Sequence, residues 1–171
     1  TGNLDAVLSG IDAAVEQGFE RIKLNAVILK GRNDKQVLPL IEYAISKGID
    51  ISFIEEMPLG AISEHSREET FCSNDELLDL IERAYTLHPV DIKSKTSGPT
   101  DAYQISGTNT RVGFISPHTH NFCGDCNRVR VTAEGRLLLC LGNEHSVDLR
   151  AVMRANPGNK ALLKQAIIDA M

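Results

Sequence analysis

A chain of 171 residues, 42% hydrophobic and 24% charged, is long and apolar enough to bury a core, which excludes a disordered tail. Its formal net charge of −5 argues against a nucleic-acid coat, so no DNA or RNA partner is expected, and any anion site must be a local cluster of arginines. No apolar run approaches the roughly 20 residues of a membrane span, and Thr1-Gly2-Asn3-Leu4 lacks the regions of a secretory signal, so a cytoplasmic protein without a membrane partner is expected.

Leu4, Val7, Leu8, Ile11 and Val15 fall at helical spacing, which predicts a helix to about Gln17 with Gly18 as its stop. Arg21 to Leu29 reads as a buried strand, followed by the turn-like Lys30-Gly31-Arg32-Asn33. Asp34 is placed to cap a second helix through about Lys47, closed by Gly48, and Ile49 to Ile54 reads as a further strand. Helices alternating with short apolar strands indicate parallel α/β architecture, although two such units are too few to close a barrel. The N-terminus therefore reads as truncated, and the open sheet edges suit a homodimer.

The pattern changes after Met57-Pro58-Leu59-Gly60, where Ser63 to Glu69 is polar and reads as a solvated loop. Ser73 or Asn74 can cap a helix carrying Leu77, Leu78, Leu80 and Ile81. Strands are predicted near Val90 to Lys93, Ala102 to Ser106 and Thr110 to Ile115, then Val129 to Thr132 and Arg136 to Leu139 around the turn Ala133-Glu134-Gly135. Helices near Leu149 to Arg154 and Lys160 to Ala170 close the chain. The expected division is residues 1–60, α/β, and residues 61–171, α+β with an antiparallel sheet.

Cys123, Cys126 and Cys140 form C-x2-C followed after a probable hairpin by a third cysteine, a spacing that lets three thiolates converge on one centre. A structural zinc would want a fourth ligand, from His118, His120, His145 or Cys72, in a module where the metal staples a hairpin. A 4Fe-4S cluster accepts three cysteines and leaves one iron open. Spacing leaves both readings standing. Cys72 stands apart, ahead of a helix, and reads as a small apolar residue. Arg128 and Arg130 lie two apart in a strand and so share a face beside the metal, where two guanidiniums suit a phosphate or a purine edge, offset cluster charge, or are simply solvated.

Five ordered segments carry a resemblance: Lys23-x-Asn-x-Val-x-x-x-Gly-x-Asn33, Phe53-Ile-Glu-x-Met-Pro58, Gly113-Phe-Ile-Ser116, Phe122-Cys-x-x-Cys-Asn-Arg-x-Arg130 and Thr132-Ala-x-Gly-x-Leu-x-x-Cys-Leu141. Together they resemble the C-terminal half of the MoaA family, the radical S-adenosylmethionine GTP cyclases of molybdenum-cofactor synthesis. The resemblance implies a lyase that converts GTP to (8S)-3',8-cyclo-7,8-dihydroguanosine 5'-triphosphate and hands its product to the next enzyme of the pathway. It implies an auxiliary 4Fe-4S cluster on Cys123, Cys126 and Cys140 facing the guanine, which turns zinc into a minor alternative. It also implies GTP contacts from Arg128, Arg130 and Lys23, and S-adenosylmethionine near Met57. Glu55 and Met57 fall at the carboxyl end of a barrel strand, where active-site groups of such barrels collect. The fold implied is the last part of a (βα)6 radical-enzyme barrel followed by the α+β portion.

The family's N-terminal C-x3-C-x2-C motif, which binds the second 4Fe-4S cluster used to cleave S-adenosylmethionine, is absent, so this chain is expected to be inactive alone. Where the family often has Gly-Pro-Ala-Arg-Tyr, this chain has Gly98-Pro99-Thr100-Asp101-Ala102-Tyr103, and a role for that arginine does not carry over to Asp101. The family's two terminal glycines are also missing after Met171.

Overall fold

The computed structural model describes residues 2–57, 65–91, 100–120, 128–140 and 145–171. Two compact units divide the chain, Thr1–Glu56 with Ile62–Cys123, and Met57–Ala61 with Gly124–Met171.

In the first unit, helix α1 (Leu4–Glu16) starts where Asn3 Oδ1 accepts from Ala6 N at 3.2 Å, an N-cap that satisfies one of the otherwise unpaired first-turn amides. Ile11 and Val15 turn inward to the core. Strand β1 (Lys23–Val27) leads to a turn fastened by Asn33, whose Oδ1 accepts from Leu29 N at 2.7 Å and whose Nδ2 donates to the Val27 carbonyl at 2.9 Å. The expected helix cap at Asp34 does not form: Asp34–Gln36 is a 3-10 turn, and α2 (Val37–Lys47) follows with no side-chain cap. Tight 3-10 geometry lets the chain enter α2 from within its own first turn. Gly48, at φ 65°, ends α2 in the left-handed conformation, and β2 (Asp50–Ile54) follows.

The polar stretch read as a solvated loop contains a one-turn helix, α3 (Arg67–Thr70). Helix α4 (Asn74–Glu82) begins with a reciprocal cap, Ser73 Oγ accepting from Glu76 N while Glu76 Oε2 accepts from Ser73 N. Strands β3 (Leu87–Val90), β4 (Asp101–Ile105) and β5 (Arg111–Ile115) complete the unit.

These strands correct the expected grouping. They do not make a separate antiparallel sheet with the later hairpin, but join β1 and β2 in one mixed sheet of order β1-β2-β5-β4-β3. β1, β2 and β5 run parallel, with Lys23 level with Asp50 and Ile51 with Val112, while β3 and β4 are antiparallel. Val112, Gly113 and Phe114 are all buried, so β5 needs a neighbour on each side, and β2 supplies the second. β1, expected to be buried on both faces, is instead an edge strand that pairs only with β2 among the described residues. Its Lys23, Asn25 and Val27 are exposed. Ile41 of α2, Ile81 of α4, and Phe53 and Val112 of the sheet are all fully buried in one cluster. Phe114 sits at its centre against Phe53 and, edge-on, Tyr103, with ring centroids 6.2 and 5.8 Å away.

The second unit holds an antiparallel sheet of order β6-β7-β8, from Arg130–Val131, Arg136–Leu138 and Ser146–Asp148, then α5 (Leu149–Ala155) and α6 (Lys160–Ala170). Asp148 and Asn159 cap these helices, accepting from Ala151 N and Leu162 N. Gly135 turns the β6–β7 hairpin at φ 81°, and a Cβ there would lie 2.8 Å from Arg150 Cβ, so both backbone angle and space require glycine. No described helix is long and apolar enough to cross a membrane.

Candidate functional site

Cys123 and Cys126 lie outside the described residues. Cys140, half-buried and in no disulfide, stands two residues past the end of β7. The hairpin that carries it is held in register by Arg130 opposite Leu138 and Val131 opposite Leu137. Thr132 locks the turn, its amide donating to the Arg136 carbonyl at 2.9 Å and its hydroxyl accepting from Arg136 N at 3.2 Å. Continued in the same register, residue 128 falls level with residue 140. The hairpin thus gathers Arg128, Arg130 and Cys140 at one end, with both arginines exposed.

The alternative fourth zinc ligands are differently disposed. Cys72 is 5% exposed in the core of the first unit, where burial and then the neighbouring Glu76 push its thiol above the ordinary cysteine value. A thiol held protonated there is a poor ligand. The His118 ring stands edge-on to Phe71, with centroids 5.4 Å apart, and His120 Nε2 lies 3.1 Å from Asp75 Oδ1. His145 is exposed just ahead of β8. The donor chemistry of Cys123, Cys126 and Cys140, three soft thiolates without the fourth cysteine, fits a 4Fe-4S cluster.

Sequence reasoning picked out Glu55 but missed its partners. Only 1% exposed just past β2, it accepts four hydrogen bonds. Oε1 takes Asn74 N at 3.0 Å and Thr119 Oγ1 at 2.6 Å, and Oε2 takes His118 N at 3.0 Å and Thr119 N at 3.1 Å. Burial alone would raise its pKa, but the Thr119 hydroxyl and the three amides outweigh that and hold the carboxyl below its ordinary value. Asn74 reinforces the same corner, its Nδ2 donating to the Ile115 carbonyl and to Ser116 Oγ, both at 2.9 Å. The neighbouring Glu56 Oε1 meets His65 Nε2 at 2.8 Å, with both side chains about nine-tenths buried. An acidic residue ending an apolar strand was the signal available; its donors lie 19 to 64 residues further along the chain.

The remaining residues are not all brought together. Lys23 is exposed at the start of β1, level with the start of β2, whereas Glu55 follows the end of β2. Five residues of strand, roughly 16–17 Å, separate those levels. Met57 is half-buried two residues past Glu55, and Asp101 is exposed at the start of β4. A groove of about 660 Å³ lined by Lys30, Leu38, Cys72, Glu76, Leu80 and Arg83, among others, contains none of the candidate ligand or substrate-contact residues read from the sequence except Cys72.

Residues 49–171 match the family described as Molybdenum Cofactor Synthesis C. The chain is 58% identical to the GTP 3',8-cyclase of Ectopseudomonas mendocina over 98% of its own length and 50% of that relative. It is 57% identical to the GTP 3',8-cyclase of Pseudomonas entomophila, and 56% to that of Pseudomonas putida strain GB-1, over all of this chain and 51% of each relative. The chain therefore spans about half the length of the curated relatives it matches.

Proposed function

The chain belongs to the Molybdenum Cofactor Synthesis C family, and we propose that it is the C-terminal part of a GTP 3',8-cyclase, the part that holds the auxiliary cluster and the substrate. What carries this reading is the hairpin that sets Arg128, Arg130 and Cys140 at one end, next in sequence to Cys123 and Cys126. The three thiolates would hold a 4Fe-4S cluster. When bound, that group supplies an open iron to which a purine can bind. Arg128 and Arg130 would fix the nucleotide by charge-assisted hydrogen bonds, and Lys23, on the exposed face of β1, would meet the triphosphate. Immobilising the ribose and purine lets a radical abstraction proceed at one chosen carbon. Met57 would lie near S-adenosylmethionine.

The parallel pairing of β1 with β2 supports reading residues 1–60 as the closing part of a (βα)6 barrel. The radical-generating half is proposed to lie in the other half of the full-length protein, which makes this chain inactive alone. Iron, sulfide and zinc content after anaerobic reconstitution, with visible spectra before and after GTP, test this. About four irons per chain, a GTP-sensitive spectrum and no cyclised product are expected. Loss of the iron in Cys126→Ala is expected alongside. Stoichiometric zinc without iron would turn the cysteines into a staple and overturn the reading.

A further inference from the structure

We propose that the outer edge of β1 is a self-pairing surface through which two copies of this chain join, β1 lying antiparallel to β1 of the second copy about Asn25. The proposal concerns the first unit alone and is independent of the cluster reading. On the barrel reading of residues 1–60 the same edge would take a strand from the other half of a full-length cyclase, so self-pairing and barrel closure compete for it.

Among the described residues the mixed sheet has two edges, β1 and β3. They are not equally open. The Thr86 carbonyl accepts from Ser106 N at 2.9 Å, so alternation along β3 turns Pro89 outward, where it has no N–H to give a new neighbour. β1 carries no proline. The Ile22 carbonyl accepts from Asp50 N at 2.8 Å, so Ile22 and every second residue after it turn toward β2, and Lys23, Asn25 and Val27 turn their amides outward. The Val27 carbonyl already accepts from Asn33 Nδ2 and retains a second lone pair. An open edge of this kind is a template for another strand.

Apolar surface gathers at the same place. The large apolar side chains exposed on the described part of the first unit are Leu4, Val7, Phe19 and Val27, which lie on α1, on β1 and on the link between them. α1 has no buried residue: Ile11 and Val15 pack on the core, while Leu4 and Val7, 69% and 56% exposed, continue the same helical stripe uncovered.

The strand suits a partner identical to itself. With Asn25 opposite Asn25 of the second copy, Lys23 faces Val27 and Leu24 faces Ala26. No like charges meet, the two Asn25 side-chain amides come within reach of each other, and Leu24 and Ala26, both packed on the core, carry the apolar layer across the two-fold axis.

Sedimentation equilibrium of the 171-residue chain from about 1 to 100 μM tests this, with a dimer expected at the upper end that dissociates on dilution. Asn25→Pro removes the central outward N–H but none that faces β2, so the fold is kept while the dimer dissociation constant rises roughly tenfold or more. Val27→Lys sets a lysine opposite Lys23 of the second copy and weakens the dimer similarly, and adding Lys23→Glu to it restores pairing. His88→Lys, on β3, leaves the dimer unchanged. A chain that is monomeric throughout the range overturns the proposal, as does a dimer that Asn25→Pro and Val27→Lys leave intact. If Asn25→Pro does not fold, rescue of Val27→Lys by Lys23→Glu decides it. A monomer that instead binds the separately produced other half of a related cyclase assigns the edge to barrel closure and overturns self-pairing too.

Discussion

Replacing Glu55 with glutamine should destabilise the first unit by about 2–4 kcal/mol at neutral pH, and the hydrogen-bond pattern shows why. An amide keeps the shape of the carboxylate but turns one acceptor oxygen into a donor. If the new NH2 took the place of Oε2, it would face two amides, those of His118 and Thr119. In the place of Oε1 it faces one amide, Asn74 N, and the Thr119 hydroxyl, which can rotate to accept. The second orientation is the better one, and it still strands a buried Asn74 amide, at about 1–3 kcal/mol, while every surviving bond loses its charge assistance. Relief from burying a charge works the other way, but the depressed pKa of Glu55 shows that its hydrogen bonds already outweigh burial in the native state. That depression also sets a pH signature. The folded-state pKa lies below the ordinary 4.5, so the contribution of the carboxylate is complete above the unfolded value and fades as pH falls through the lower folded one. Urea unfolding followed by circular dichroism, repeated from pH 7 down through pH 4, should therefore give a gap between wild type and Glu55→Gln that is constant near neutrality and narrows in acid. A gap under about 0.5 kcal/mol at pH 7, or one that widens on acidification, would refute the reasoning.

Two further outcomes follow from the hairpin. Arg128→Ala and Arg130→Ala should each weaken GTP binding to the reconstituted chain by about 1–3 kcal/mol, the range for a charge-assisted contact, and titration calorimetry showing wild-type affinity in both would remove them from the site. Gly135→Ala should lower the unfolding midpoint of the second unit, by at least about 1 kcal/mol in free energy, because the new methyl meets Arg150 Cβ at 2.8 Å and φ 81° is strained for alanine; a midpoint equal to wild type would show that the turn relaxes without penalty.

What could be read from the sequence, and what could not, divides along the range of the interactions involved. Helices α1, α2 and α4 were legible because apolar residues recur at helical spacing and because Ser73 and Glu76 form a capping box within four residues. The β6–β7 hairpin was legible because Ala133-Glu134-Gly135 is a local turn signal, and its register then sets Arg130 level with Leu138, two residues ahead of Cys140. Asp34 misled because a 3-10 turn and a capped α-helix start with the same residue types. β8, three residues long, is too short to carry a period. The partnership of β5 with β2 was not legible at all: Val112-Gly113-Phe114 marks a strand but cannot say which strand, some 60 residues earlier, lies beside it.

Glu55 concentrates the same lesson in one residue. Its position at the end of β2 matched the end of a barrel strand where catalytic groups collect, and nothing local distinguishes a carboxylate that reaches for substrate from one that is consumed by the fold. The distinction lies in Asn74, His118 and Thr119, three residues that no periodicity connects to Glu55 and that become its neighbours only when β5 takes its place beside β2. The pairing of β2 with β5, through Glu55 N donating to the Ile115 carbonyl at 3.1 Å, thus brings the carboxylate to the turn that follows β5. The parallel pair is more than scaffolding: a one-residue slip of β5 against β2 would carry His118 and Thr119 away from their acceptor by roughly 3.3 Å, beyond hydrogen-bond reach, and would leave a buried carboxylate without most of its donors.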